Sequence, residues 1–169
     1  MQVVKSDFHS VKKSAFTLHA PFSGRVLPQS ESTNPLVRNE LLGLGVTIEV
    51  TNYQLFAPAS STLISVAQAG CEFIFKSSSG VKILVLLTLS DAPPFTGFKQ
   101  HIQVGQHCEQ GMLVASYDFR SQTSPVYASV LLLETAKLSR VIDKCIYQAN
   151  RVTAQNDILL KLTKRINND

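Results

Sequence analysis

The side chains able to do chemistry in this chain are few and scattered. Three cysteines (Cys71, Cys108, Cys145) and four histidines (His9, His19, His101, His107) are its candidate nucleophiles and soft metal ligands. A cysteine attacks only as the thiolate, which needs a nearby cation or a helix N-terminus. Near Cys71 the sequence offers only Lys76 and Lys82, and strand geometry decides where they point. A small buried thiol is the expectation there, with a reactive thiolate as the alternative. His101, His107 and Cys108 are close enough to suggest a metal site. Neighbouring strand residues point to opposite faces, so His107 and Cys108 are not expected to share a metal, and no metal site is predicted. His9 and His19 have no spacing that implies more than surface or packing roles. No Gly-rich phosphate loop runs into a Lys-Ser/Thr helix, and no Ser-His-Asp order can be defended. No cofactor is expected.

A chain of 169 residues is long enough for one domain with a real core. No apolar run approaches the roughly 20 residues of a membrane span. Met1 to Lys13 carries basic residues but no apolar signal core. Three widely spaced cysteines read as reduced thiols, which places the chain in the cytoplasm. The net charge of +4 is mild, and Lys5, Lys12, Lys13, Lys161, Lys164 and Arg165 gather part of the excess at the two ends. Without interleaved aromatic and basic residues, no nucleic-acid partner is expected.

The elements that must position these residues are mostly strands. β-Branched and aromatic runs alternate with Gly, Pro, Asn and Ser. The runs predict strands at Phe16–His19, Arg25–Leu27, Val46–Val50, Gln54–Ala57, Thr62–Val66, Cys71–Phe75, Val81–Leu89, Leu113–Ser116 and Val126–Leu133. Val81–Leu89 is almost continuously apolar, which predicts a central strand covered on both faces. Leu36–Leu42 reads as a short helix, with Asn34 to cap it and Pro35 in its first turn. Ala20-Pro21 and Ala57-Pro58 each launch a strand, a weak sign of a duplicated unit. Beyond Glu134, Gly and Pro vanish. Leu138, Cys145, Val152, Leu159 and Ile166 recur at every seventh position, with Ile142, Ala149, Asn156 and Thr163 on a companion seam. That pattern predicts an amphipathic helix over 134–169. It packs back on the β-domain or joins copies of the chain into a homo-oligomer. The division is then an arm over 1–15, a β-domain over 16–133 and the helix.

Several blocks carry a resemblance. They are Ala20-Pro21-Phe22-Ser23-Gly24, Leu41-Leu42-Gly43-Leu44-Gly45-Val46, Ala57-Pro58 and Gly80-Val81-Lys82-Ile83-Leu84-Val85-Leu86-Leu87-Thr88. Further along come Phe98-Lys99-Gln100-His101-Ile102-Gln103-Val104-Gly105, Gly111 and Ser124-Pro125-Val126. Together they resemble the glucose-type enzyme IIA family of the sugar phosphotransferase system, which carries a phosphoryl group on histidine. The resemblance implies an all-β fold, an antiparallel sandwich or flattened barrel of the duplicated hybrid type, here with the C-terminal helical extension.

It also implies where the chemistry should lie. The accepting histidine of the family falls at Leu86. Its second histidine falls at Cys71, counting back from Gly80 without gaps. The family's small Gly two residues after the acceptor falls at Thr88, and the next-but-one Asp falls at Ser90. With both imidazoles gone, neither a phosphoryl acceptor nor the family's zinc site remains. The resemblance further implies a shallow docking face for partner proteins over Leu36, Val37, Leu41, Leu42 and Leu44, with Cys71 and Leu86. Those leucines fill the core, dock partners, or do both. The expected role is a phosphotransfer-incompetent, protein-binding regulatory module. The alternatives are a carrier using Cys71 or His101 as acceptor, and a structural subunit assembled by its helix.

Overall fold

The computed structural model describes residues 1–5, 8, 14–89, 97–120, 122–148 and 150–165. His9, Lys12, Lys13, Ser90, Ala149 and Ile166 lie outside them. The short apolar runs become strands: β1 (Gln2–Val4), β2 (Phe16–His19), β3 (Gly24–Pro28), β4 (Leu44–Val50) and β5 (Gln54–Phe56). They continue as β6 (Ser61–Ala67), β7 (Glu72–Ser77), β8 (Lys82–Thr88), β9 (Lys99–Gln100) and β10 (His107–Cys108). The rest are β11 (Leu113–Ser116), β12 (Tyr127–Leu132), β13 (Ile142–Tyr147), β14 (Asn150–Val152) and β15 (Ile158–Lys164).

One sheet of eight strands runs β10-β6-β7-β8-β12-β4-β3-β14, a second runs β1-β13-β15-β2, and a third runs β5-β11-β9. Apart from the parallel β1–β13 pair, the ladders are antiparallel. No sheet closes into a barrel among the described residues, so the architecture is a sandwich.

β8 is central, as its apolar run predicts, held by β7 on one side and β12 on the other. Its alternation sends Ile83, Val85 and Leu87 into the main core, with Phe73, Phe75, Val130 and Leu159. Leu84 and Leu86 point to the opposite face, into a small outer cluster with Val37 and Leu131. At the start of β8, Gly80 turns the hairpin at φ +84 and donates its N–H to Ser77 O at 2.9 Å, a conformation glycine adopts without a Cβ penalty.

The outer cluster is roofed by α1 (Pro35–Arg38), capped as the sequence predicts. Asn34 Oδ1 accepts the N–H groups of Leu36 at 2.9 Å and Val37 at 3.4 Å, and Pro35 opens the turn. The helix stops at Arg38, short of the predicted Leu42. Glu40 turns left-handed at φ 59, and Leu41 N donates to Leu36 O while Glu40 N donates to Val37 O. This pair of bonds satisfies the final carbonyls and ends the helix.

The duplication is real in the backbone. His19 N donates to Pro58 O at 2.8 Å, and Phe56 N donates to Pro21 O at 3.0 Å. The two Ala-Pro turns thus bond each other reciprocally. Each also holds a distant turn: Ala20 bonds Gln155 and Asp157, while Ala57 bonds Gly111 and Met112.

That symmetry overturns the predicted C-terminal helix and the separate segment 134–169. Among its described residues only Thr135–Leu138 is helical (α2), and β13, β14 and β15 follow it, joined by turns. Cys145, Val152 and Leu159 are buried as expected, but on three successive strands, so the seven-residue recurrence arises from strand-and-turn spacing. The coiled-coil seam, and an oligomer built on it, has no basis in these strands. The missing glycines misled because Asn150 (φ 97) and Gln155 (φ 69) make the turns in left-handed backbone. Gly111, at φ +80, occupies the matching place in the other half. Such a conformation costs a non-glycine residue about 1–2 kcal/mol, so Gln155→Gly is expected to stabilise the domain by about 0.5–1 kcal/mol. A denaturation midpoint that falls or stays put refutes this.

Candidate functional site

Leu86 sits at the middle of the candidate site. It is 5% exposed, in register with Glu72 on β7 and Ser129 on β12. Ser129 Oγ is itself bonded to Thr47 Oγ1 at 3.0 Å. Cys71 precedes β7, and its carbonyl accepts the Leu87 N–H at 2.7 Å. The two positions named from sequence therefore lie close together. Leu86 and Cys71 border one open hollow of about 370 Å³, whose walls include Leu36, Leu42, Thr88 and Leu89.

The other named residues separate. Val37 is fully buried beneath the hollow, where it packs on Leu84, Leu86 and Leu131. Leu36 is 48% exposed and Leu41 70% exposed. The apolar segment thus divides its work: Val37 fills the cluster, while Leu36 and Leu41 face outward. Leu44 lies elsewhere, beside Met1–Val4 and Glu40. His101 is on the three-stranded sheet, its Nε2 against Ser116 Oγ at 2.9 Å, and does not border the hollow. His107 is exposed while Cys108 is buried, the opposite facing that strand geometry predicts. Among the described residues no three His, Cys, Asp or Glu side chains group together.

The chemistry available in the hollow is limited. Burial pushes the Cys71 thiol above its ordinary pKa, so it stays protonated and weakly nucleophilic at neutral pH. Tyr117 lies close by, its hydroxyl donating to Gly70 O at 2.9 Å. Burial and the neighbouring Cys71 both push the phenol's pKa up. Thr88 Oγ1 is buried without a hydrogen-bond partner among the described residues, a loss of about 1–3 kcal/mol for a hydroxyl. Leu86 itself offers no lone pair to a metal or a phosphorus atom.

Three residues that the sequence did not assign to the site matter here. Glu72, the in-register neighbour of Leu86, brings a carboxylate to the hollow. Asn34 borders it while capping α1. Gln29 is buried and staples the roof to β4. Its Nε2 donates to Val37 O at 2.8 Å and Gly43 O at 2.7 Å, and its Oε1 accepts Gly45 N–H at 2.8 Å. Nothing in the local sequence marks Gln29, because its three partners are 8 to 16 residues away.

Residues 16–138 match the family model described as phosphoenolpyruvate-dependent sugar phosphotransferase system, EIIA 1. The glucose-specific EIIBCA component of Corynebacterium glutamicum is 28% identical over 138 residues. The mannose-specific EIIBCA component of the same species is 30% identical over 138 residues. Each alignment covers 79% of this chain and 20% of the relative, so the chain spans about a fifth of the length of these curated relatives. Among solved structures, the glucose permease IIA from Mycoplasma capricolum superposes with a TM-score of 0.72 at 19% identity. That superposition covers 86% of this chain and 94% of that one, and establishes the likeness of fold alone. It reaches beyond 16–138, in keeping with C-terminal strands that belong to the domain. No helix among the described residues is long and apolar enough to cross a membrane.

Proposed function

Since the chain belongs to the glucose-type enzyme IIA family of the phosphoenolpyruvate-dependent sugar phosphotransferase system, we propose that it is a member that no longer carries phosphate and acts as a protein-binding regulatory module. The observation that carries this reading is Leu86. At the position of the family's accepting histidine stands a side chain packed into an apolar cluster, and phosphoryl transfer needs a nucleophile there. The neighbouring thiol is a poor substitute, because burial keeps it protonated. The docking face in this reading is the hollow with Leu36, Leu41 and Leu42 at its edge. Val37 supports it from below and Leu86 forms its floor. Leu44, on the N-terminal side, contributes least. The partners are other proteins, beginning with components of the phosphotransferase system, and the setting is the cytoplasm of a bacterium.

The test is incubation of the full chain with phosphoenolpyruvate, enzyme I and the histidine phosphocarrier, followed by intact mass. No phosphoryl addition is expected. Stoichiometric phosphate would overturn the reading. Its location on Cys71 or His101 would establish instead a carrier with an unconventional acceptor.

A further inference from the structure

A second cavity lies apart from the Leu86 hollow and shares no wall with it. It measures about 440 Å³ and opens between β2, the turn after Ala57-Pro58, and the β7–β8 hairpin. Its walls carry hydroxyls, an amide and an imidazole, and among the described residues no Lys, Arg, Asp or Glu borders it. Small-molecule sites are more often mainly apolar with a few polar groups, so this composition is selective in itself.

The polar groups are arranged with capacity to spare. His19 Nδ1 faces Gln155 O at 3.1 Å. A carbonyl only accepts, so Nδ1 carries the hydrogen and Nε2 of the neutral ring remains an acceptor. Gln110 donates its Nε2 hydrogen to the same carbonyl at 2.9 Å, which leaves its Oε1 as a second acceptor. Thr17 and Ser78 border the cavity with hydroxyls that make no hydrogen bond among the described residues. Phe16, half-buried against the main core, supplies an apolar wall. At the rim, Ser60 donates to Glu109 Oε2 at 2.8 Å, which puts a carboxylate near the mouth.

We propose that this cleft binds a neutral polyhydroxylated ligand of one or two sugar rings. A sugar hydroxyl both donates and accepts, which matches walls holding free acceptors and free hydroxyls together. The carbon face of a pyranose suits an aromatic wall, because aromatic rings present large apolar area at fixed geometry. The Glu109 carboxylate bonded to Ser60 at the rim repels an anionic ligand, so the cleft should hold a sugar phosphate less tightly than the free sugar.

The test uses saturation-transfer NMR and titration of the full chain with glucose, maltose, sorbitol and glucose 6-phosphate. Saturable transfer to at least one neutral probe is expected, with glucose 6-phosphate weaker than glucose. The double variant Thr17→Val, Ser78→Ala should weaken binding by about tenfold, the worth of one or two net hydrogen bonds. Its melting should be nearly unchanged, since neither hydroxyl has a partner among the described residues. Absence of transfer to every neutral probe, equal or tighter binding of glucose 6-phosphate, or a folded double variant that binds like the parent would each overturn the proposal.

Discussion

A chain ending at Leu133 is expected not to fold. β15 is the direct partner of both β2 and β13, and β14 continues the edge of the eight-stranded sheet. Truncation removes Cys145, Ile146, Val152, Leu159, Leu160 and Leu162, all buried. Each large apolar side chain lost from a core forfeits about 1.5–3 kcal/mol. Their combined loss rivals the whole net stability of an ordinary domain, about 5–15 kcal/mol. It also strips Ala20 of its bonds to Gln155 and Asp157. Circular dichroism and amide dispersion of fragment 1–133 decide the matter. A cooperative melt with native-like dispersion would show that the C-terminal hairpins are dispensable after all.

Where glycine and proline punctuate the chain, its longer strands were legible. Phe16–His19 and Leu113–Ser116 appear with their predicted bounds, and the central place of β8 follows from a run with no polar face to offer water. The last thirty-odd residues were not legible, since Asn150 and Gln155 turn the chain in backbone that single-residue propensity assigns to glycine. β1, β9 and β10 are too short to show a period. At the site, Leu86 and Cys71 could be named from sequence because Gly80 anchors their spacing, and both border one hollow. Glu72 and Gln29 were missed because a register across two strands and a buried amide bridging distant carbonyls leave no local pattern.

Joint substitution of Cys71→His and Leu86→His is expected to take the protein from no phosphorylation to partial phosphorylation by the general phosphotransferase components. Both positions border the same hollow, so two imidazoles there can meet on neighbouring strands. The gain is large because the missing element is the nucleophile itself, whereas positioning and electrostatics refine a transfer that already has one. Burying an imidazole in the cluster of Val37, Leu84 and Leu131 costs about 1–3 kcal/mol, which a domain of ordinary stability tolerates. Thr88, where the family has a small residue, is the reason to expect a partial yield. Intact mass before and after acid treatment gives the readout. A folded double variant without acid-labile phosphate would mean that position 71 is the wrong partner, with Glu72, the true in-register neighbour of Leu86, next in line.

The pairing of β2 with β15 also sets a clock. Residues 16–19 must wait for residues 158–162 before their sheet can form. At synthesis rates of about 5–20 residues per second, that delay is roughly ten seconds. Throughout it Phe16 and Leu18 lack their native cover, and the long loop closure that ends it slows folding further. Residues 16–19 are therefore most exposed to aggregation during synthesis, and any dependence on chaperones should be decided there while residues 158–162 are still being made.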